Sequence, residues 1–374
     1  MLFAISVALV LIANACHKEE LPEGIFTATP YNLLIPRYFP TQLNVPEDNP
    51  LTVEGVRLGR YLFYDTRLCG YVGPDPDSMM SCASCHVQAH NFDVGLDNPR
   101  FPGGHPCGLS GLPTTHTPLP LVNLVFNSEG YFWNGLVSDG NHNAGQQYLE
   151  DIVTMTITAP DEMNSTQQRA LKAIASAGFY DKMFEQAFGT PEITIERIEK
   201  ALAQFVRVLV SGNSKFDRYL RGEEQLSDAE LRGYVLFTTE EGADCFHCHG
   251  SEGSPLFTTN LFYNNALDAI PDNAHDRYSV TGNPSDKGAY RAPSLRNVSA
   301  SAPYMHDGRF QTLDEVLEFY NAGLVNSPYV HPLMHKITDG GACLTPSQLA
   351  DLKAFLLTLT DDEFLTKEEF SNPF

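Results

Sequence analysis

The segment Ser81–His86 reads Ser-Cys-Ala-Ser-Cys-His, and a second segment, Asp244–His249, reads Asp-Cys-Phe-His-Cys-His. Both contain C-x-x-C-H, the spacing at which haem is attached covalently to a protein. Each cysteine can form a thioether with a haem vinyl group, and the histidine then lies under the iron as its proximal ligand. The sequence therefore predicts two bound haem c groups, held by Cys82, Cys85 and His86 and by Cys245, Cys248 and His249.

Two other interpretations of a C-x-x-C pair are a zinc half-site and a thioredoxin-like dithiol. Zinc would require four ligands in a paired cysteine and histidine cluster, and a dithiol would require a βαβ pattern around it. Neither context accompanies either motif. The repetition of C-x-x-C-H within one chain favours haem.

Composition indicates a folded chain of two domains. The 374 residues can bury two cores, and the hydrophobic content of 43% is that of a globular protein. The formal net charge is −22. No basic stripe is present to neutralise phosphates, so nucleic acid is excluded as a partner. The acidic surface either steers a basic redox partner or serves only solubility.

The first residues have the pattern of an export signal. Met1–Cys16 contains an apolar run that is too short to span a membrane but has the length of a signal-peptide core, although it lacks a basic start. Ala13–Cys16 resembles a bacterial lipobox, in which the cysteine carries the lipid. The prediction is a periplasmic lipoprotein that contacts the membrane only through an anchor on Cys16, with His17–Gly24 as a polar tether.

Three further cysteines remain after the haem motifs and Cys16 are assigned. Cys69 and Cys107 bracket the first motif, and an oxidising compartment would allow them to pair, although spacing does not establish the pair. Cys343 is interpreted as a buried free thiol.

The fold class is predicted as mainly α, with long loops and two cytochrome c-like domains, each around a covalently bound haem. Helical periodicity and capping motifs predict helices, and strand signals are sparse. The predicted division is a signal at 1–16, a tether and extended lead-in at 17–48, an N-terminal haem domain at 49–225 and a C-terminal one at 226–374. The predicted helices are Thr52–Tyr64, Ser165–Phe188, Thr194–Val210, Ser227–Leu236 and those that open at Thr312 and Thr345.

The surroundings of both motifs resemble the bacterial di-haem cytochrome c peroxidase family, which includes the protein-oxidising MauG branch. The similarity runs from about Asn49 to Leu359. It rests on these stretches: Asn49–Thr52, Leu58–Asp65, Ser81–His86, Phe132–Gly135, Glu162–Met163, Ala292–Val298 and Ser301–Gly308.

The resemblance implies that hydrogen peroxide reacts at the N-terminal haem and that the C-terminal haem exchanges electrons with it. Glu162 matches the family's distal acid, which moves a proton between the two peroxide oxygens. Trp133 matches the tryptophan between the haems that relays charge. Taken alone, Glu162 would read as a surface glutamate and Trp133 as a core aromatic.

Tyr320 lies where similar peroxidases carry the methionine that ligates the second iron, and tyrosine there resembles the MauG branch. Methionine raises a haem potential, whereas an anionic phenolate stabilises ferric and higher states. The alternatives are a tyrosine packed on an amphipathic helix, and Met334 as the ligand.

The family also binds calcium between the haems, through two backbone carbonyls and an asparagine side chain. Ser301 and Pro303 match the carbonyl positions. The asparagine position holds His116, a poor ligand for a hard cation, so Asn123 or a main-chain oxygen would have to substitute.

The family's distal glutamine would fall at Ile152. Either Gln146 or Gln147 replaces it, or the pocket is less polar. His90 and His105, in the loop after the first motif, either block the distal position in a resting state or are ordinary loop histidines.

Three functions follow from these features. The first is a di-haem peroxidase that reduces hydrogen peroxide to water with electrons from a small periplasmic cytochrome c or cupredoxin. The second is a MauG-like enzyme that uses a stored high-valent di-haem state to oxidise residues of a partner protein. The third is a non-enzymatic electron carrier, which leaves Glu162 and Trp133 without a role. The sequence leaves monomer and homodimer open.

Overall fold

Helices supply nearly all of the regular structure, so the predicted fold class is confirmed. The computed structural model describes residues 26–137, 148–250, 254–271 and 274–374. Within them the first six helices are α1 (Val53–Tyr64), α2 (Cys82–Cys85), α3 (Glu150–Thr158), α4 (Gln167–Ala175), α5 (Tyr180–Phe188) and α6 (Ile195–Arg207).

Seven further α-helices and two short strands follow α6 in the described part of the chain. The strands β1 (Phe262–Tyr263) and β2 (Tyr290–Arg291) pair antiparallel, with Phe262 opposite Arg291. The helices are α7 (Lys215–Leu220), α8 (Asp228–Thr238), α9 (Phe246–His249), α10 (Arg277–Thr281), α11 (Leu313–Ala322), α12 (Pro346–Leu357) and α13 (Asp362–Thr366).

The first core forms where α1 crosses α6. Gly59 makes the crossing close, because a Cβ there would overlap the carbonyl oxygen of Ala201. Phe63 and Phe205 pack beside it, with ring centroids 5.2 Å apart and almost no exposed surface. Full burial of a phenylalanine contributes about 1.5–3 kcal/mol, so these rings are major contributors to the stability of this half.

The second core repeats this arrangement with α8 and α12. Gly233 is the point of close approach, because a Cβ there would overlap the carbonyl oxygen of Asp351. Phe355 follows on α12 as Phe205 follows on α6, and its ring packs 5.4 Å from Phe216 and 5.2 Å from Phe237. The two halves therefore share one packing scheme, each beside its own C-x-x-C-H motif.

Chain segments cross between the two cores. Phe216, which precedes the predicted boundary at 225 and 226, packs in the second core. Phe364 and Phe370, close to the C-terminal end, pack in the first. The predicted boundary stays a prediction, and the packing shows that each core borrows side chains from the other side of it.

The predicted helix starts agree with the structure. Thr52 and Thr194 cap α1 and α6 by accepting hydrogen bonds from backbone N–H groups. Capping boxes open α8, α11 and α12, as predicted. The predicted helix Ser165–Phe188 is instead two helices, because Gly178 adopts a left-handed conformation (φ +74°) between α4 and α5.

None of the helices in the described ranges is long and apolar enough to cross a membrane. The predicted lipid-anchor residue Cys16 and the glutamines Gln146 and Gln147 lie outside the described residues.

Candidate active site

The first haem motif opens into a cavity of about 450 Å³, here called the first cavity. Cys82 and Cys85 are the first and last residues of α2, and the His86 N–H donates to the Cys82 carbonyl at 2.9 Å. The Nδ1 atom of His86 lies 2.7 Å from the carbonyl oxygen of Phe92. A proton on Nδ1 satisfies that carbonyl and leaves the Nε2 lone pair for a metal. Burial lowers the pKa of His86, which keeps its imidazole neutral.

The second motif opens into a separate cavity of about 210 Å³, the second cavity. Cys245, Cys248 and His249 line it. The Nδ1 atom of His249 lies 3.1 Å from the carbonyl oxygen of Pro293, which repeats the orientation found at the first motif. Burial lowers the pKa of His249 to about 4, so this imidazole is also neutral.

The two cavities have the donor set that a covalently attached haem needs. Burial, reinforced by the nearby Glu162 carboxylate, raises the pKa of Cys82 and Cys85 to about 12, and burial raises that of Cys245 and Cys248 equally. These thiols are therefore neutral in the unmodified chain and face an apolar space.

Arg291 gives an independent sign that an anionic group belongs between the cavities. It lines both of them, is 5% exposed, and has an Nε atom without a hydrogen-bond partner. Burial lowers its pKa to about 10. Among the described residues no carboxylate forms an ion pair with Arg291, and a buried guanidinium without one is costly. Haem propionates would provide the missing anions. The residues present therefore fit haem. Arg291 was not among the site residues predicted from the sequence.

Glu162 lies in the first cavity together with the C-x-x-C-H residues. Desolvation raises the pKa of its carboxyl group, and the neighbouring Asp161 charge adds to the rise, while a hydrogen bond from the Thr156 side chain opposes it. A glutamate with a raised pKa can both accept and return a proton near neutral pH. The structure thus places the predicted acid in the cavity of the first motif, and its catalytic role stays a prediction.

The backbone of Glu162 is fixed by a glycine loop. The Leu109 N–H donates to the Glu162 carbonyl at 2.8 Å. A Cβ at Gly108 would lie 2.5 Å from the Glu162 nitrogen and 2.6 Å from its oxygen. Only glycine lets the two backbones approach this closely, so Gly108 positions the acid.

Trp133 lies in the wall between the cavities and lines both of them. Its Nε1–H donates to the carbonyl oxygen of Thr117 at 2.8 Å, and its own carbonyl accepts from the Arg291 N–H at 2.7 Å. The position is the one predicted for a charge relay. The relay itself stays a prediction.

Tyr320, on α11, lines the second cavity with His249. Its hydroxyl accepts a hydrogen bond of 3.0 Å from the Asn265 Nδ2, and the same nitrogen lies 3.8 Å from the Met305 sulfur. Met334 lines the cavity as well. Burial raises the pKa of Tyr320, and the Asn265 hydrogen bond opposes the rise, so phenolate formation would depend on the charge of a bound iron. Asn265 and Met305 were not among the site residues predicted from the sequence, although Met305 lies within the matching stretch Ser301–Gly308.

The predicted calcium ligands Ser301 and Pro303 line the second cavity, whereas His116 lines the first. The amide of Asn123 exchanges two hydrogen bonds with the backbone of Ser211. Calcium binding stays a prediction.

The sequence also named three further residues as candidates for the first cavity. Ile152 lines the first cavity, as expected for the position of the missing glutamine, and His90 and His105 line neither cavity. His90 instead contacts Asp97 at 2.6 Å.

The three cysteines outside the haem motifs and Cys16 are all free thiols. Cys69 and Cys107 are unpaired: Cys69 is buried and its thiol donates to the Thr66 carbonyl, whereas Cys107 is exposed. Cys343 is a free thiol but exposed rather than buried.

Comparison with known proteins supports the resemblance seen in the sequence. A sequence profile described as di-haem cytochrome c peroxidase matches residues 53–225. The chain is 32% identical to the methylamine utilization protein MauG of Methylorubrum extorquens, over 86% of this chain and 82% of that protein. It is also 32% identical to the cytochrome c551 peroxidase of Nitrosomonas europaea, over 84% of this chain and 82% of that protein.

A solved structure is similar over nearly the whole chain. It is that of a MauG-like protein associated with microbial copper homeostasis. The TM-score is 0.77 at 32% identity, covering 92% of this chain and 99% of that one.

Proposed function

The chain belongs to the di-haem cytochrome c peroxidase family, which includes MauG, and from that premise we propose that it reduces hydrogen peroxide to water. Membership of this family implies haem as the cofactor. When bound, the haems supply the iron redox chemistry that accepts peroxide at one site and electrons at the other. The observation that carries the proposal is the presence of Glu162 in the same cavity as Cys82, Cys85 and His86.

The residues of the first cavity have distinct tasks in this proposal. Cys82 and Cys85 would attach the haem through thioethers, and His86 would ligate its iron. The Glu162 carboxylate takes the proton from one peroxide oxygen and returns it to the other, so that the second oxygen can leave as water. Two electrons and two protons from outside complete the reduction of one peroxide to two waters.

The second cavity is the proposed electron entry. Cys245, Cys248 and His249 hold the second haem there, and Trp133 lies between the two cavities as the relay. The donor is a small periplasmic cytochrome c or cupredoxin. The net charge of −22 would attract a donor with a basic docking face.

A second candidate function has a specific observation in its favour. Tyr320, rather than a methionine, lies in the second cavity with its hydroxyl directed to Asn265. A phenolate ligand favours oxidised iron and disfavours uptake of an electron from a high-potential cytochrome. A MauG-like enzyme, which stores oxidising equivalents and withdraws electrons from a partner protein, would use that property.

We also propose a cellular location for the protein. We infer export to the periplasm, with Cys16 lipidated and the folded part tethered to the membrane. Cys16→Ser should release the protein from the membrane fraction into the soluble periplasm, and continued membrane association would overturn the anchor.

Stopped-flow spectroscopy of the holoprotein with hydrogen peroxide tests the function. We expect a rapid spectral change, and addition of reduced cytochrome c or cupredoxin should return the resting spectrum. Return of the spectrum only with an oxidisable protein substrate would favour the MauG-like function. A holoprotein inert to peroxide in every redox state would overturn both and leave an electron carrier.

A further inference from the structure

A cluster of side chains beside the second cavity has no part in the proposed peroxide chemistry. Glu240 follows α8, His247 lies in α9, and His335 begins a short 3-10 helix much further along the chain, yet each offers one ligand atom and these atoms lie within 4.8 Å of one another. We propose that Glu240, His247 and His335 bind a divalent first-row transition-metal ion, zinc(II) or copper(II), in addition to the haem irons.

Asp244 contacts both imidazoles and forms a hydrogen bond with that of His247. Its side chain is 4% exposed, and its two carboxylate oxygens lie 2.6 Å from Nδ1 of His247 and 3.3 Å from Nδ1 of His335. A histidine that donates Nδ1–H to a carboxylate keeps its Nε2 lone pair for a metal, an arrangement usual around protein metal ions. The hydrogen bond with Asp244 therefore leaves Nε2 of His247 available, and the contact between Asp244 and His335 holds the second imidazole beside it.

The carboxylate of Glu240, the third ligand, lies on the Nε2 side of the His247 imidazole. Glu240 Oε1 is 3.7 Å from Nε2 of His247, the atom that Asp244 leaves available. Ligand atoms around a tetrahedral zinc are about 3.3 Å apart, given metal–ligand bonds of about 2.0–2.1 Å. The side chains of Glu240 and His335 are 63% and 43% exposed, so small rotations can bring the three atoms together.

The charge of the cluster also suits a dication. Glu240 and Asp244 contribute two carboxylates, and among the described residues their ion-pair contacts are with histidines rather than with lysine or arginine. A bound divalent ion would neutralise both. The carboxylate of Asp244 gains most, because it is nearly inaccessible to water.

The donor atoms select the class of metal. Two imidazole nitrogens and one carboxylate oxygen, with water completing the sphere, suit zinc and copper(II). Calcium and magnesium prefer all-oxygen ligands, so they should bind weakly. At equal free concentrations copper(II) should bind more tightly than zinc, following the general stability order of divalent ions.

Zinc binding to the chelator-treated holoprotein, with both haems attached, is the first measurement. Titration calorimetry and elemental analysis should give one zinc per chain. Zinc K-edge X-ray absorption, in which haem iron does not interfere, should show two imidazoles and oxygen ligands. Copper(II) should displace the zinc, whereas calcium should not. A holoprotein that binds neither zinc nor copper(II) stoichiometrically would overturn the proposal.

Variants outside the haem motif test the ligands. Glu240→Gln and His335→Ala each remove one ligand from an exposed position, and the haem spectrum verifies that each variant is folded and loaded. Each should weaken zinc binding at least tenfold. Asp97→Asn, which removes an exposed carboxylate that contacts only one histidine, should leave zinc affinity unchanged. Wild-type affinity in both ligand variants would overturn the assignment. None of these measurements involves peroxide, so they stand apart from the proposed function.

Discussion

The indole Nε1 of Trp133 donates a hydrogen bond of 2.8 Å to the carbonyl oxygen of Thr117. Thr117 is in turn held by two residues that line the second cavity. Its hydroxyl donates to the Met305 carbonyl at 2.9 Å, and its N–H donates to the His306 carbonyl at 2.9 Å. The indole is thus fixed in the wall that the two cavities share. In the proposed function, this fixed aromatic ring would divide one long electron transfer between the haems into two short ones.

Trp133→Phe should slow charge transfer between the haems at least tenfold, which corresponds to about 1.4 kcal/mol of activation free energy. Phenylalanine keeps an aromatic ring of smaller size but is much harder to oxidise. Stopped-flow spectroscopy after peroxide addition measures the rate. Trp133→Tyr is the matched variant, because its ring remains oxidisable, and it should retain more of the rate. Equal losses in both variants would indicate that Trp133 acts only through packing.

Glu162→Gln should slow the reaction with peroxide roughly 100-fold, because the amide cannot take and return a proton. Glu199→Gln is the matched control. Burial raises the pKa of Glu199 as well, and a hydrogen bond from the Thr154 hydroxyl opposes the rise, but Glu199 does not line the first cavity. The control should react at the wild-type rate. A slow Glu199 variant or a fast Glu162 variant would contradict the assignment.

The pH profile gives a separate test of Glu162. Desolvation raises the pKa of this carboxyl group above its usual value of 4.5. Only the deprotonated form accepts a proton from peroxide, so the rate should fall as the pH drops through that raised pKa. Glu162→Gln should lose this acidic limb at pH values where the protein stays folded. A limb that persists in the variant would have to come from another group.

Tyr320→Met should raise the midpoint potential of the second haem, because a thioether ligand favours the reduced iron more than a phenolate does. Spectroscopic redox titration of the holoprotein measures this shift. Met334→Leu and Met305→Leu are the comparisons, since both methionines line the same cavity. If either methionine is the actual ligand, its variant will change the haem spectrum and Tyr320→Met will not.

Local chemistry explains how much of the site the sequence predicted. The spacing within C-x-x-C-H places its two cysteines and its histidine together in one helical turn, and side-chain caps such as Thr52 act within three residues. The family resemblance directed attention to Glu162, Trp133 and Tyr320, which the structure places in or between the cavities.

Contacts between distant segments explain what the sequence did not predict. Asn265 reaches Tyr320 across 55 positions, and Arg291 faces both cavities only because β2 lies between them. The sequence left the pairing of Cys69 and Cys107 open, and the two are unpaired because the Cys69 thiol packs in the first core and donates to the Thr66 carbonyl. Spacing along the chain predicts neither the position of Arg291 nor the direction in which the Cys69 thiol points.

The approach of Gly108 to Glu162 yields a prediction about positioning rather than chemistry. Gly108→Ala would force its new methyl group against the Glu162 backbone, so the acid must shift. We expect the peroxide rate to fall roughly tenfold or more, since small displacements of a catalytic group are costly. Gly111→Ala is the control in the same loop: its φ of +84° makes alanine unfavourable by about 1 kcal/mol, but nothing lies within 4 Å of the added carbon. The control should lose stability on thermal unfolding and keep its peroxide rate. If both variants keep the rate, the loop does not position Glu162.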